Sequence, residues 1–227
     1  MHVPGVDSHR DEVVRKQQQE ADVCLHLDPD RRGVMVTWLE AMQCAVDSDD
    51  GYTWSFVMQD DALPLRGWQQ HLERACTYSP TPIIGLSHFG GYGSQALSKG
   101  VPYGVGNNLA WGAAIGYHYS ILEDLTQWSR GIYEATGYPN DDRLVGSYAM
   151  MKGFGISLAA RAIFDQPVEA SLLGHHSKIR RPATTIENSD GPEWSSIPRS
   201  TKVNAAVYDD MRAMAGLPKK VKGSKSK

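Results

Sequence analysis

Apolar residues recur along the chain in two alternating periods. Short apolar runs, "ADVCLHLD", "WSFVMQ", "TPIIGLSHF", "NLAWGAAIGY" and "GISLAARAIF", predict strands, and "HVPGV" reads as a short first strand. Between them lie segments with helical spacing. The clearest is "VMVTWLEAMQCAV", whose Met35, Trp38, Leu39, Met42, Ala45 and Val46 fall on one face. "SHRDEVVRKQQQEA" reads as a helix opened by Ser8, with Asp11 and Glu12 in its first turn. "GWQQHLERAC", "YSILEDLTQWSR" and "DDRLVGSYAMMK" supply three more, with Trp38, Trp68 and Trp128 expected in the core. This alternation predicts an α/β layered fold with a mostly parallel central sheet flanked by helices. The stretch "GGYGSQALSKGVPYGVG" lacks a phosphate-binding fingerprint and reads as a flap hinged on glycines. Beyond position 180 the period is lost. Residues 181–227 read as an irregular C-terminal arm with a short helix in "NAAVYDDMRAMAG" and a disordered basic tail. The rest, 1–180, is expected to form the α/β domain.

Composition narrows the setting. A chain of 227 residues with 41% hydrophobic content is sized for one domain with an appendage. No window approaches the roughly 20 apolar residues of a membrane span, and the N-terminus lacks a secretion pattern. Three scattered cysteines, Cys24, Cys44 and Cys76, form no disulfide framework. The expectation is a cytoplasmic protein with no membrane partner. The net charge of -3 decides little, but the end "LPKKVKGSKSK" concentrates Lys219, Lys220, Lys222, Lys225 and Lys227.

Candidate chemistry gathers in three places. The strand "WSFVM" runs into Gln59, Asp60 and Asp61, and two adjacent carboxylates repel unless something compensates them. A solvated acidic turn is one reading. A hard divalent cation is the other, since oxygen ligands suit Mg²⁺ or Mn²⁺ and α/β folds bind ligands at strand carboxyl ends. Asp141 and Asp142 open a helical pattern after Asn140, as caps, as a general base, or as both. His175 and His176 end the apolar run in "EASLLGHH", and imidazole is a common metal ligand. Trp111 and Trp194 are candidates for stacking on a sugar or a base.

Taken in order, "FVMQDDALPLRGW", "NLAWGAAIGYHYSILEDL", "NDDRLVGSY" and "EASLLGHH" resemble the motifs of GT-A-type glycosyltransferases, especially the small phage-encoded ones. The resemblance spans residues 1–180. It implies a GT-A-like, Rossmann-type fold and a metal-dependent, inverting transfer from a nucleotide-sugar, UDP-linked, to a hydroxyl. Asp61 would bind Mn²⁺ or Mg²⁺. Asp60 would sit on the metal through water or on the ribose, and His175 would be the third ligand, with His176 its rival. Asp142, or Asp141, would be the base. Asp28, in "LHLDPDRRG", would meet the uracil edge, although a turn around Pro29 explains it too. Arg10 would meet the nucleotide unless it is an exposed helix charge. The family's usual acid two positions before the metal-binding aspartate is here Gln59, which hydrogen-bonds a ribose without bringing charge.

The resemblance to phage glycosyltransferases implies a hydroxymethylated DNA base or a virion protein as acceptor, and the basic end, with Arg180 and Arg181, favours the polyanionic DNA. The rival functions are a metal-dependent phosphoesterase or nuclease and a non-catalytic nucleotide-sugar-binding module. The first would need more bridging acids than this sequence offers.

Overall fold

A computed structural model describes residues 8–219 apart from 22, 29, 31, 49–50, 88–90, 109–112, 167–183, 195–198 and 204–206. The expected strand "HVPGV" lies outside these residues, as do His175, His176, Trp111, Arg180, Arg181 and the basic tail beyond Lys219.

The chain opens with α1 (Ser8–Glu20) and α2 (Val34–Asp47). Strand β1 (Trp54–Met58) follows, then the short β2 (Leu63–Pro64), α3 (Trp68–Thr77) and β3 (Ile83–Gly85). Next come α4 (Tyr92–Leu97), β4 (Tyr103–Gly106), β5 (Ala114–His118), α5 (Tyr119–Thr136), α6 (Asp141–Lys152) and β6 (Ile156–Ala159). β7 (Phe164–Asp165), β8 (Ser200–Lys202) and α7 (Asp209–Met214) complete the fold.

Six strands form one sheet in the order β1-β5-β3-β6-β4-β8, and β2 with β7 forms a two-stranded ribbon. The parallel pairing that the alternation predicts is present at β3–β6 and β4–β8. The pairs β1–β5, β3–β5 and β4–β6 run antiparallel, so the sheet is mixed. Because β5 lies antiparallel between them, β1 and β3 point the same way, and β6 joins them through β3. Their carboxyl ends share one edge of the sheet.

The central strands are buried on both faces, which is why they read as continuous apolar runs. Ile83, Ile115, Tyr117, Ile156 and Leu158 face a core built with α2, α5 and α6. Ile84, Leu86, Tyr103, Ala114 and Ala159 face another built with α3 and Trp194. The α2 stripe behaves as its spacing predicts: Met35, Trp38, Leu39 and Met42 are buried, and Ala45 and Val46 pack against the same core. At Gly116, in the middle of the sheet, a Cβ would come within 2.9 Å of both Ile84 and Phe56, so only glycine lets these layers close.

Several expectations change. Residues 23–28 form no strand, with only an isolated bridge at Leu27. The glycine-rich stretch is not a flap. It contains α4 and β4, and Tyr103 is fully buried. Gly104 is part of that packing, because a Cβ there would lie 2.7 Å from Val203. "GISLAARAIF" splits into β6 and β7, separated by Ala160–Ile163, whose Ala162 bridges to Thr185. The segment expected as an arm is woven into the domain. β8 extends the sheet beside β4, and α7 docks on α6 with Met211 fully buried.

Candidate functional site

The turn after β1 is held from three sides. Gln59 donates its N–H to Ala113 O at 2.7 Å, continuing the β1–β5 pairing by one bond. Its carbonyl accepts the Ala62 N–H at 3.1 Å, closing a turn over Asp60 and Asp61. From α1, the buried Gln17 donates through Nε2 to Gln59 O at 3.1 Å and to Ala62 O at 2.7 Å, bridging both ends of that turn. Val13, Val14 and Gln17 make the buried stripe of an otherwise polar helix. The turn's two carbonyls therefore explain a glutamine at a position the helical period would give to an apolar residue.

The same helix answers the repulsion of the acidic pair. Arg10 Nη1 lies 2.5 Å from Asp60 Oδ1, and Nη2 lies 3.5 Å from Asp61 Oδ2. Arg10 and Asp60 are almost wholly buried, so Arg10 is no exposed helix charge. On the other side, the β2–β7 register pairs Leu63 with Asp165, which sets Gln166 against the turn. Gln166 Nε2 donates to Asp61 Oδ2 at 2.6 Å.

The remaining oxygen of Asp61 is the notable atom. Oδ1 is buried and has no hydrogen-bond partner among the described residues. Burial pushes the Asp61 carboxyl above its ordinary pKa, and the neighbouring Asp60 adds to that. The hydrogen bond from Gln166 and the charge of Arg10 pull the other way without overcoming it. A buried, orphaned acceptor on a carboxylate is costly in isolation. It fits a hard cation, which would satisfy that oxygen and hold the group ionised.

Asn140 is the N-cap of α6, its Oδ1 accepting the Arg143 N–H at 3.2 Å. Asp141 is buried, and desolvation raises its pKa against hydrogen bonds from backbone N–H groups of the first turn. Asp142 is half-exposed beside it. Both acids lie close enough to Tyr117 of β5 to push its hydroxyl pKa further up, beyond the main effect of its complete burial. Arg143 turns away to Asp210 of α7, 2.8 Å distant, under the ring of Tyr208.

Asp28 takes a structural place. It is fully buried, and its oxygens accept the N–H groups of Arg32 at 2.8 Å and Gly33 at 2.9 Å. Those bonds close the turn that opens α2 and leave the carboxylate inside it, away from any open surface for a nucleotide base. Trp194 is also a correction. It is 2% exposed, packs on Tyr103 and donates Nε1 to His71 Nδ1 at 3.1 Å, so it cannot stack on a ligand.

Gln17 and Gln166 were not singled out by sequence reasoning. Gln166 carried a signal, because "IFDQP" repeats the pattern of "VMQDDALP", an apolar strand ending in acid, amide and proline. Gln166 is also the last described residue before the segment that holds His175 and His176. No helix among the described residues is long and apolar enough to cross a membrane. No family model matches the chain, and no curated protein is similar to it in sequence.

Proposed function

We propose that this chain is a cytoplasmic, metal-dependent glycosyltransferase of GT-A-like fold that moves a sugar from a nucleotide-sugar, UDP-linked, to a hydroxyl acceptor with inversion. One observation carries the reading: the buried Oδ1 of Asp61, without a hydrogen-bond partner among the described residues, at the carboxyl end of β1, in a turn already braced by Arg10, Gln17 and Gln166. The resemblance of the four sequence motifs supplies the reaction class.

In this reading Asp61, with His175 or His176, holds Mn²⁺ or Mg²⁺, and Asp60 contributes through Arg10 or through water. When bound, the cation supplies Lewis-acid neutralisation of the diphosphate leaving group. Arg10 orients Asp60 and offers its guanidinium to the nucleotide. Gln17 keeps the turn rigid, so Asp61 need not reorganise when donor arrives. Asp142, half-exposed at the rigid start of α6, takes the acceptor proton, and Asp141 is its buried neighbour at the helix start. The acceptor class is a hydroxymethylated DNA base, on the strength of the basic chain end, and a virion protein is the competing acceptor.

The test is a thermal-shift panel of nucleotide-sugars with and without Mn²⁺, on wild type and Asp61→Ala. A specific donor at a hundredfold excess over its Kd stabilises by about 2.7 kcal/mol. The expected result is a Mn²⁺-dependent shift with one donor class that Asp61→Ala loses. Donor binding that ignores both the metal and Asp61 contradicts the assignment. Cleavage of plain phosphodiesters without a nucleotide-sugar would establish a phosphoesterase instead. Label transferred from the donor to virion protein alone, and not to hydroxymethylated DNA, would replace the acceptor.

A further inference from the structure

A second cluster of metal-ligating groups lies away from the acidic turn. Cys24 and His26 sit two residues apart on segment 23–28. Cys44 comes from the third turn of α2 and meets them. One ligand atom from each residue lies within 4.8 Å of those from the other two. The two sulfurs are 3.1 Å apart. His26 Nε2 is buried and has no hydrogen-bond partner among the described residues.

We propose that Cys24, His26 and Cys44 form a binding site for a borderline-soft divalent cation of the Zn²⁺ class, with three protein ligands and a fourth position open to solvent. Zn–S bonds of about 2.3 Å at tetrahedral angles set the sulfurs about 3.7 Å apart, so the contact must open by only about 0.6 Å. Cys24 is exposed and can make that adjustment. A disulfide would need the sulfurs to close to about 2.05 Å and would still leave His26 Nε2 orphaned. A metal ion satisfies all three groups at once.

Glu40, one turn before Cys44 on α2, is paired with Arg32 at 2.6 Å, and Asp47 lies close to Cys44. Two thiolates side by side need a counter-charge, and a dication supplies it. On binding, the two thiols release their protons to buffer, two metal–sulfur bonds form, and neutral His26 donates its free lone pair. The cation would then pin segment 23–28 to α2, beside the turn that Asp28 closes.

The test uses the full chain, purified in reductant, stripped with chelator and titrated with Co²⁺ without oxygen. The expected result is a thiolate-to-cobalt charge-transfer band that saturates at one equivalent and is bleached by Zn²⁺. Cys24→Ser and Cys44→Ser should each abolish the band while circular dichroism remains native. His26→Asn should weaken Co²⁺ binding at least tenfold. Cys76→Ser and Asp61→Ala should leave the band intact, which separates this site from a cation at the acidic turn. A folded wild type with no thiolate band overturns the proposal. So does a band that survives in Cys44→Ser, or a chain that is two hydrogens lighter by mass and takes up no metal even after reduction.

Discussion

Removing the guanidinium from the acidic turn should be costly, and a cation should repair part of the loss. In Arg10→Ala, the buried Asp60 loses its ion pair with Arg10, and Asp61 loses its only described cationic neighbour. Arg10 is 13% exposed and Asp60 6%, so solvent screens this contact little. Breaking a buried pair by deleting one partner costs about 3–5 kcal/mol. In a domain of this size each kcal/mol moves Tm by about 2–4 °C, so the expected fall is roughly 6–20 °C. Without Arg10 the turn loses the compensating charge that the described residues supply, and its attraction for a dication rises. Mn²⁺ should therefore raise the Tm of Arg10→Ala by more than it raises that of wild type. The assay is urea and thermal unfolding at neutral pH, with and without Mn²⁺, for wild type, Arg10→Ala, Asp60→Asn and the double variant. The double variant should lose less than the sum of the two single losses, because the contact can be lost only once. A loss below about 1 kcal/mol, the value of a surface pair, would refute the burial argument. A Mn²⁺ shift no larger than in wild type would refute the charge argument.

Gln17→Leu keeps the α1 stripe apolar but strips the Gln17 hydrogen bond from Ala62 O, for which a loss of about 1–3 kcal/mol is expected by urea denaturation, while Gln59 O keeps the Ala62 N–H. Asp142→Asn should keep donor affinity while transfer falls at least about 10²-fold, measured in single turnover. If Asp141→Asn shows that loss instead, the roles exchange. Asp28 gives a pH signature: burial raises its pKa, but the Gly33 and Arg32 N–H groups and the Arg32 charge outweigh it, and the net direction is down. A lowered folded-state pKa contributes stability that is present above the unfolded value, near 3.9, and is lost as pH falls through the folded one. The stability gap between wild type and Asp28→Asn should thus be full at neutral pH and shrink below about pH 4. A gap independent of pH across that range would contradict the role.

The sequence reveals what local periodicity controls. The α2 face from Met35 to Met42 and the strands around Phe56, Ile84 and Ile115 follow from spacing alone. Strand direction does not, because β5 gains its antiparallel place between β1 and β3 only through long-range pairing. The glycines of β4 look like hinges in sequence, yet Gly104 is there to admit Val203. Trp194, read as a ligand platform, fills the core under α3 because a distant segment returns to the sheet. The acidic pair was visible as a candidate site, and Asn140 and Asp141 as a helix start. The compensation of that pair was not, since Arg10 and Asp60 are 50 positions apart. Asp28 shows the converse: a turn residue whose local bonds to Arg32 and Gly33 decide its role before any ligand arrives.

The central claim is that Asp61 ligates the metal on which the donor is loaded, and electron paramagnetic resonance of Mn²⁺ tests it most directly. Free aqueous Mn²⁺ gives a sharp signal that disappears on binding to protein. The account predicts that the wild-type chain with UDP removes one equivalent of this signal, that chelator restores it, and that folded Asp61→Ala leaves it at the level of UDP alone. Equal Mn²⁺ uptake by wild type and Asp61→Ala would contradict the account.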